Sequence, residues 1–485
     1  MVHRCSWPEN ASWDKSDSAL KERYRVAIVS DPQLTDWYSY KQTGLALWLT
    51  EFYTDLFMRR SFRRLHNQLQ PDAVLFLGDL MDGARDTMDP KLFARNRDRF
   101  METVFDSKNT AWNELPVVMD KDGSEQEEVV DDGDWLCGQG KEQKHPENDT
   151  TTTYDDIYIT GQFKQVTRIP ADSSKRQAIR AAGKSLRLYV AGNHDYGFGD
   201  TLVREAMVRY KREFGSVNYE VQVGNHTLVV LDTLALSSSI PSIREESQEF
   251  LSKIGREGPL APRILFTHVP LHRPETTYCG DAREAKQLIL DSYGEQYQNM
   301  VNASLSREIL RKIQPDMIFS GDDHDWCEIA HSAYGAITPE VTVPTFSFAQ
   351  GIRQPGFVML SLYNPEELVR NRELVLPTPG QGYPPPSWTG GVKTIKDSST
   401  FAYEACMLPN QLSIYNGYIV LLARRWRASV RLGGVHSKSR KDNNNNTNIN
   451  INNISIKINI LFNPDMFNHR PVPRDPARAI MQQLR

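Results

Sequence analysis

The sequence predicts an α/β fold in which two mixed β-sheets pack face to face with helices outside. Two observations carry this. Five short apolar runs, 26–29, 74–77, 186–190, 264–266 and 317–319, are β-branched or aromatic, are bounded by Gly or Pro, and read as buried strands. Segments with helical spacing of apolar residues lie between the early runs, so strands and helices alternate as they do in a sheet covered by helices.

After the first strand, Leu47, Phe52, Leu56, Phe57, Phe62 and Leu65 recur at near-helical spacing and predict a crossover helix over 45–69. The second strand leads to Asp79, and 90–105 reads as a second helix with Pro90 in its first turn, where a missing N–H costs nothing. The pattern then breaks. Residues 109–180 form an acidic, poorly hydrophobic run with Glu125, Glu127, Glu128, Asp131 and Asp132. It is expected to be a solvated insertion rather than a substrate lid, because such a run cannot bury enough apolar surface to order itself. Order resumes with the strand at 186–190, a helix over 202–214, and strands 217–223 and 227–231 paired around Gly224-Asn225. Strands at 264–266, 317–319, 345–348 and 357–362 complete two facing sheets. The main domain is thus expected over 22–365, after an N-terminal stem at 1–21. Residues 366–423 form a Pro/Gly-rich extension with a short apolar stretch, and 424–485 a tail that is first basic and then Asn-rich.

Composition narrows the partners. With 39% hydrophobic residues, 485 residues suffice for a sizeable core, and a mean hydropathy of −0.52 leaves a polar surface. A formal net charge of −4 offers no general attraction to nucleic acid, so no nucleic-acid partner is expected. Cys5, Cys137, Cys279, Cys327 and Cys406 show no CxxC or Cys/His spacing, which argues against a zinc module or redox motif, and their odd number leaves the compartment open. Sequons begin at Asn10, Asn148, Asn225 and Asn302. Residues 1–17 lack the apolar core of a signal peptide. The C-terminal apolar stretch at 418–423 is well short of the ~20 residues that span a bilayer, although Arg424-Arg425-Trp426-Arg427 would suit a membrane flank.

A polar motif follows each of the five strands: Asp31-Pro32-Gln33, Gly78-Asp79, Gly192-Asn193-His194-Asp195, Thr267-His268 and Gly321-Asp322-Asp323-His324. Ligand crevices in such sheets lie outside the carboxyl ends of the strands, so these groups converge on one rim. Their order suits a two-metal phosphoesterase. Two cations roughly 3.5–4 Å apart repel, and a carboxylate between them screens the repulsion while the pair clamps an in-line phosphoryl displacement. Asp79, behind the small Gly78, is the natural bridge. Asp31 alone would read as a turn residue, but its company makes it a ligand candidate. Gln33 offers an amide oxygen, either to a metal or to a hydrogen bond behind one. Asn193 can ligate while the adjacent His194 faces substrate and protonates a leaving alkoxide, with Asp195 orienting the ring or raising its basicity. His268 suits the second metal, and His272 is left outside as a rim residue. Within the acidic turn ending at Asp325, which would repel itself without a cation, Asp322 and His324 are the ligand choices. This donor set, rich in oxygen and without Cys, favours two divalent cations, Mn²⁺ before Mg²⁺, Fe or Zn²⁺.

Over about residues 24–348 these motifs, including Gly78-Asp79-Leu80-Met81-Asp82-Gly83, resemble those of the calcineurin-like metallophosphoesterase superfamily. Within it, Asp31-Pro32-Gln33-Leu34, residues 78–85 and Ser320-Gly321-Asp322-Asp323-His324-Asp325 look like the fungal branch of ethanolamine-phosphate phosphodiesterases that trim GPI-anchor glycans in the endoplasmic reticulum and Golgi. The resemblance implies a four-layer αββα sandwich with a dinuclear site: Asp31, Gln33, Asp79 and His324 around one metal, Asp79, Asn193, His268 and Asp322 around the other, and His194 as the acid. Gln33 and Asp322 stand where His is commonest in the superfamily, and the fungal branch looks similar at both. The resemblance further implies a metal-dependent phosphodiesterase that removes ethanolamine phosphate from a mannose of the glycan of a GPI-anchored protein. It also implies a lumenal location and membrane association. Alternatives are a phosphomonoesterase or nucleotide phosphodiesterase using the same site, or a non-catalytic scaffold on this fold. Arg85, Arg273 and Arg353 are candidate phosphate contacts, each equally readable as an ion pair.

Overall fold

The computed structural model describes residues 5–10, 13, 23–86, 89–105, 166–169, 185–363 apart from 224–225, 260, 287, 295–296 and 334–335, and 400–436. The chain forms two compact units, Met1–Ser347 with Pro355–Leu408, and Phe348–Gln354 with Pro409–Arg485.

The first unit begins with β1 (Arg23–Val29), the short helix α1 (Trp37–Tyr40), the long helix α2 (Gly44–Leu69) and β2 (Ala73–Leu77). Gln70 ends α2 in a left-handed conformation, its N–H returned to the His66 carbonyl. Helix α3 (Pro90–Asp98) starts at Pro90 under an Asp89 cap. The single helix expected over 90–105 in fact widens into a π-helical turn at Arg99–Val104. That turn brings Phe100 and Phe105 together onto Phe76 of β2, with ring centroids 5.3 and 4.9 Å away. Next come β3 (Val166–Ile169), β4 (Leu186–Val190), α4 (Asn193–Tyr196), α5 (Arg204–Phe214), β5 (Tyr219–Val223), β6 (His226–Val230), α6 (Thr233–Leu236), α7 (Pro241–Glu257) and β7 (Arg263–Phe266). The unit continues through β8 (Tyr293–Gly294), β9 (Tyr297–Gln298), α8 (Ala303–Ile313), β10 (Met317–Ser320), β11 (Cys327–Ala333), β12 (Ala336–Thr342), β13 (Gly356–Tyr363) and β14 (Phe401–Met407). The second unit contains α9 (Gln411–His436).

Two mixed sheets result. One has the order β14-β13-β1-β2-β4 and the other β11-β12-β10-β7-β6-β5-β3. The strands that precede the polar motifs are parallel: β1, β2 and β4 in the first sheet, β7 and β10 in the second. Val26, Ile28, Leu75, Leu77 and Leu188 of one sheet share a buried core with Val230, Ile264, Phe266, Met317 and Phe319 of the other. Successive strand residues point to opposite faces, so Phe76, on the other side of β2 from Leu75 and Leu77, packs under the helical layer against Phe62 of α2. Burial on both faces is why these strands read as continuous apolar runs.

Several elements differ from the sequence expectation. No strand forms over 345–348. Only a bridge from Ser30 to Thr345 remains, because the Thr345 hydroxyl donates to the Asp31 carbonyl (2.6 Å) and its N–H to the His324 carbonyl (2.9 Å), curving the chain around the rim. Strand β3 lies inside the stretch expected to be a solvated insertion and extends the second sheet beside β5. The acidic run at 120–134 lies outside the described residues, as do the Gly224-Asn225 turn and the Asn-rich tract. Strand β14 falls within the stretch read as an extension yet pairs with β13 from Phe401 to Met407. The sequence reading did not identify α7, α8, β11 or β12. Disulfides join Cys5 to Cys406 and Cys279 to Cys327, the first tying the N-terminal stem to β14. The apolar stretch at 418–423 lies in α9, and among the described residues no helix is long and apolar enough to cross a membrane.

Candidate metal centre

Each polar motif sits where a parallel strand ends, and the backbone there is unusual. Among the described residues, eight non-glycine residues have positive φ, and five of them are Asp31 (46°), Gln33 (35°), Asp79 (49°), Asp322 (66°) and His324 (68°). Left-handed backbone disfavours L side chains, so this concentration marks a rim where conformational strain is held in place by the surrounding fold. Two glycines make room. Gly78, at φ 88°, sits so close to His268 that a Cβ would lie 2.7 Å from the ring Cγ. A Cβ on Gly192 would collide with the Asp79 carboxylate and its backbone N.

These ends bring two groups of donors together. Asp31, Asp79 and His324 offer ligand atoms within 4.8 Å of one another, and so do Asp79, His268 and Asp322. Asp79 belongs to both. Gln33 donates its amide N–H to Asp79 Oδ2 (2.8 Å), while its Oε1 is buried with no hydrogen-bond partner among the described residues. A buried acceptor without a donor is costly unless something positive meets it. Asn193 Oδ1 lies 3.2 Å from His268 Nε2 and so stands beside the second group.

His268 adds a second sign. Its Nδ1 lies 2.9 Å from the Leu77 carbonyl, which can only accept, so Nδ1 carries the hydrogen. Nε2 then faces Asn193 Oδ1 (3.2 Å), Asp79 Oδ1 (3.3 Å) and Asp322 Oδ1 (3.6 Å). A ring nitrogen among three oxygens needs a positive charge, either its own proton or a cation. Taken as side chains alone, burial opposes charge on the ring, but the Asp79 carboxylate outweighs it and holds His268 well above the usual histidine range. Burial pushes Asp31 up to about 8 and Asp322 to about 7, with the neighbouring Asp79 adding to both. Burial would raise Asp79 as well, but the His268 and His194 charges hold it below the ordinary carboxylate range. Crowded buried carboxylates, an orphaned amide oxygen and an imidazole aimed at oxygens together fit divalent cations, with Asp79 shared between two positions.

Beside this cluster lies His194. Its backbone N–H donates to Asp79 Oδ1 (2.8 Å), and its Nε2 is 4.0 Å from Asp79 Oδ2. The ring is held by Asp82, whose carbonyl and Oδ1 lie 2.6 and 3.0 Å from Nδ1. Burial alone would depress the ring's pKa, but the Asp79 charge and the Asp82 contact push it up to about 9. Asp195 does not hold the ring, contrary to the sequence expectation. Its carboxylate is used up by the N–H groups of Leu80 (3.0 Å) and Gly192 (2.8 Å), so it pins the Asp79 and Asn193 loops to each other.

Asp82 is the residue that sequence reasoning missed, although it stands in the quoted run Gly78–Gly83. Tyr38 is a second. Its ring meets His194 edge-on at 6.2 Å, and its hydroxyl accepts from Arg85 Nη2 (3.0 Å). Arg85 also donates to the Asn193 carbonyl (2.9 Å), which makes it a brace for this loop. Arg273 is buried against Glu340 at 2.9 Å, and Arg353 belongs to the second unit. His272 faces Asp291 at 3.8 Å, apart from both groups of donors. The acidic turn is less self-repelling than its sequence suggests. Arg283 pairs with Asp323, and Asp325 accepts from the N–H groups of Ala285 and Trp326, leaving Asp322 and His324 to face the rim.

No family model matches the chain. Over 374 residues it is 31% identical to Cell division control protein 1 of Saccharomyces cerevisiae, covering 76% of this chain and 60% of that protein. It is 28% identical over 167 residues to Metallophosphoesterase 1 homolog of Caenorhabditis elegans, covering 33% of this chain and 45% of that protein. It is 28% identical over 179 residues to Protein TED1 of Saccharomyces cerevisiae, covering 32% and 37% respectively. The chain therefore spans less than two thirds of the length of each of these relatives. The chain is thus similar to named metallophosphoesterases, and its five strand ends converge on a site suited to two cations, so that it resembles the calcineurin-like metallophosphoesterase superfamily.

Proposed function

We propose that the protein is a phosphodiesterase that works with two divalent cations. The observation that carries this reading is Asp79, the carboxylate common to both groups of donors. Asp31, Gln33, Asp79 and His324 would hold one cation, and Asp79, Asn193, His268 and Asp322 the other. Bound there, two cations supply Lewis-acid stabilisation of phosphoryl charge and make water a better nucleophile. The chain's own groups do the rest. Asp82 anchors Nδ1 of His194, which leaves Nε2 to carry a proton to the departing alkoxide. Arg85 and Asp195 keep the His194 loop against the rim. Mn²⁺ is the preferred cation for so oxygen-rich a donor set.

The substrate proposed is the ethanolamine phosphate on a mannose of a GPI-anchor glycan. The reading rests on the resemblance of the Asp31, Asp79 and Asp322 motifs to the fungal branch of such enzymes. A lumenal site of action agrees with two disulfides, which persist in oxidising compartments. The test is hydrolysis of a generic phosphodiester, a matched monoester and an ethanolamine-phosphate-bearing GPI glycan by the full chain with Mn²⁺ added, alongside His194→Ala. Metal-dependent diester cleavage that His194→Ala loses supports the enzyme, and release of phosphoethanolamine from the glycan supports the substrate. Preferred monoester cleavage would move the reading to a phosphatase, and absence of both metal binding and turnover to a scaffold.

A further inference from the structure

Helix α2 presents an outer face that neither the core nor the site uses. At its start Leu45, Trp48, Leu49, Phe52 and Tyr53, spaced i, i+3, i+4, i+7 and i+8, are 71, 55, 39, 44 and 44% exposed. Trp48 stacks on Phe52 at 5.5 Å, and Phe52 meets Tyr53 edge-on at 5.3 Å, so the aromatic rings form one patch. Further along the helix the exposed positions become cationic, with Arg60, Arg63 and Arg64. The helix has two acids, and both are neutralised from behind. Glu51 is buried and paired with Arg95, and Asp55 is paired with Arg99 at 2.9 Å. An exposed face that runs from Leu and Trp to Arg, with no exposed acid, is complementary to a surface that is apolar inside and anionic outside.

We propose that this face of α2 docks the protein on an anionic bilayer surface, the Leu45-to-Tyr53 patch entering the headgroup region and the arginines pairing with lipid phosphates. Trp and Tyr favour that interfacial depth, where an apolar ring and a polar edge are both satisfied. The placement matters for the site. Helix α1 lies just ahead of α2 in the chain, and its half-exposed Trp37 neighbours Tyr38, the residue whose ring meets His194. The start of α2 thus follows Tyr38 within a few residues, which suits a lipid-linked substrate, although the docking itself does not depend on that reading.

The test is flotation of the full chain with vesicles of phosphatidylcholine alone or mixed with phosphatidylserine, for the unaltered protein, for Trp48→Ser/Phe52→Ser and for Arg60→Glu/Arg63→Glu/Arg64→Glu. The unaltered protein is expected to float with the anionic vesicles and to be released by salt. Each variant is expected to bind at least roughly tenfold more weakly while hydrolysing a soluble diester as before, since three cations near a charged surface account for more than that factor. Failure of the unaltered protein to bind anionic vesicles, or binding that both variants leave intact, would overturn the proposal. A dimer in sedimentation that Trp48→Ser/Phe52→Ser dissociates would also overturn it and assign the face to a second copy. Vesicle binding is read without metal or turnover, so its failure is distinct from failure of the phosphodiesterase reading.

Discussion

Glu340 allows a quantitative test of what holds the metal-ligand loops. It lies on β12 beside β10, wholly buried, and its Oε1 accepts from the N–H of Leu271 (3.1 Å), Arg273 Nη2 (2.9 Å) and the Ser320 hydroxyl (2.7 Å). Its Oε2 meets His331 Nε2 at 2.5 Å. Leu271 follows His268 and Ser320 precedes Asp322, so one carboxylate joins the two ligand-bearing segments of the second sheet. Burial would raise its pKa, but Arg273, His331 and Ser320 outweigh that and bring it from 4.5 down to about 2. Such a depression corresponds to roughly 3 kcal/mol of folding stability near neutral pH. Glu340→Gln keeps the shape but leaves Arg273 buried without its counter-charge, which costs about 3–5 kcal/mol in comparable pairs. A depressed folded pKa gives stability that is present above the unfolded value of 4.5 and lost as pH falls through about 2. Urea unfolding of both proteins across this range should therefore show a gap of about 3 kcal/mol near neutrality that narrows below pH 4.5, as protonated Glu340 comes to resemble glutamine. A gap under about 1 kcal/mol, or one that stays constant with pH, would refute the assignment of the stability to this charge.

Gly192→Ala should drive a methyl into the Asp79 carboxylate and its backbone N, lowering diester hydrolysis by about 10²-fold or more and lowering the melting temperature as well, since such overpacking costs about 1–3 kcal/mol. A variant of full activity would show that Asp79 is not held where the reading needs it. Asp82→Asn should lower kcat by about 10²-fold with little change in KM, because it weakens the anchor of the His194 ring while leaving the Asp82 carbonyl in place. Replacing Cys279 and Cys327 by serine should destabilise the fold by about 4 kcal/mol, the chain-entropy value for residues 48 apart, read as a fall in the denaturation midpoint.

The strands and the rim were legible because their signals are local. Apolar runs such as 74–77 end directly in Gly78-Asp79, and a buried parallel strand followed by a close-packed turn is written within a few neighbouring residues. The same locality misled the reading of Asp195. It adjoins His194 in sequence, but its carboxylate is taken by Leu80 and Gly192, and the ring is held from 112 residues away by Asp82. The acidic turn likewise looked self-repelling until Arg283, 40 residues upstream, was placed against Asp323. Strand β14 was hidden because its partner β13 lies across 364–399, and a strand at a sheet edge owes its order to the neighbour it pairs with.

By itself, the sequence determined the five strands that lead into the polar motifs and the order in which their ends present carboxylate, amide and imidazole, since hydrophobic period and turn chemistry act between near neighbours. Tertiary structure alone decided that Asp82 and not Asp195 holds His194, and that Cys5 meets Cys406 across 401 residues. Those contacts depend on distance in space, which is set only when the two sheets close on their common core.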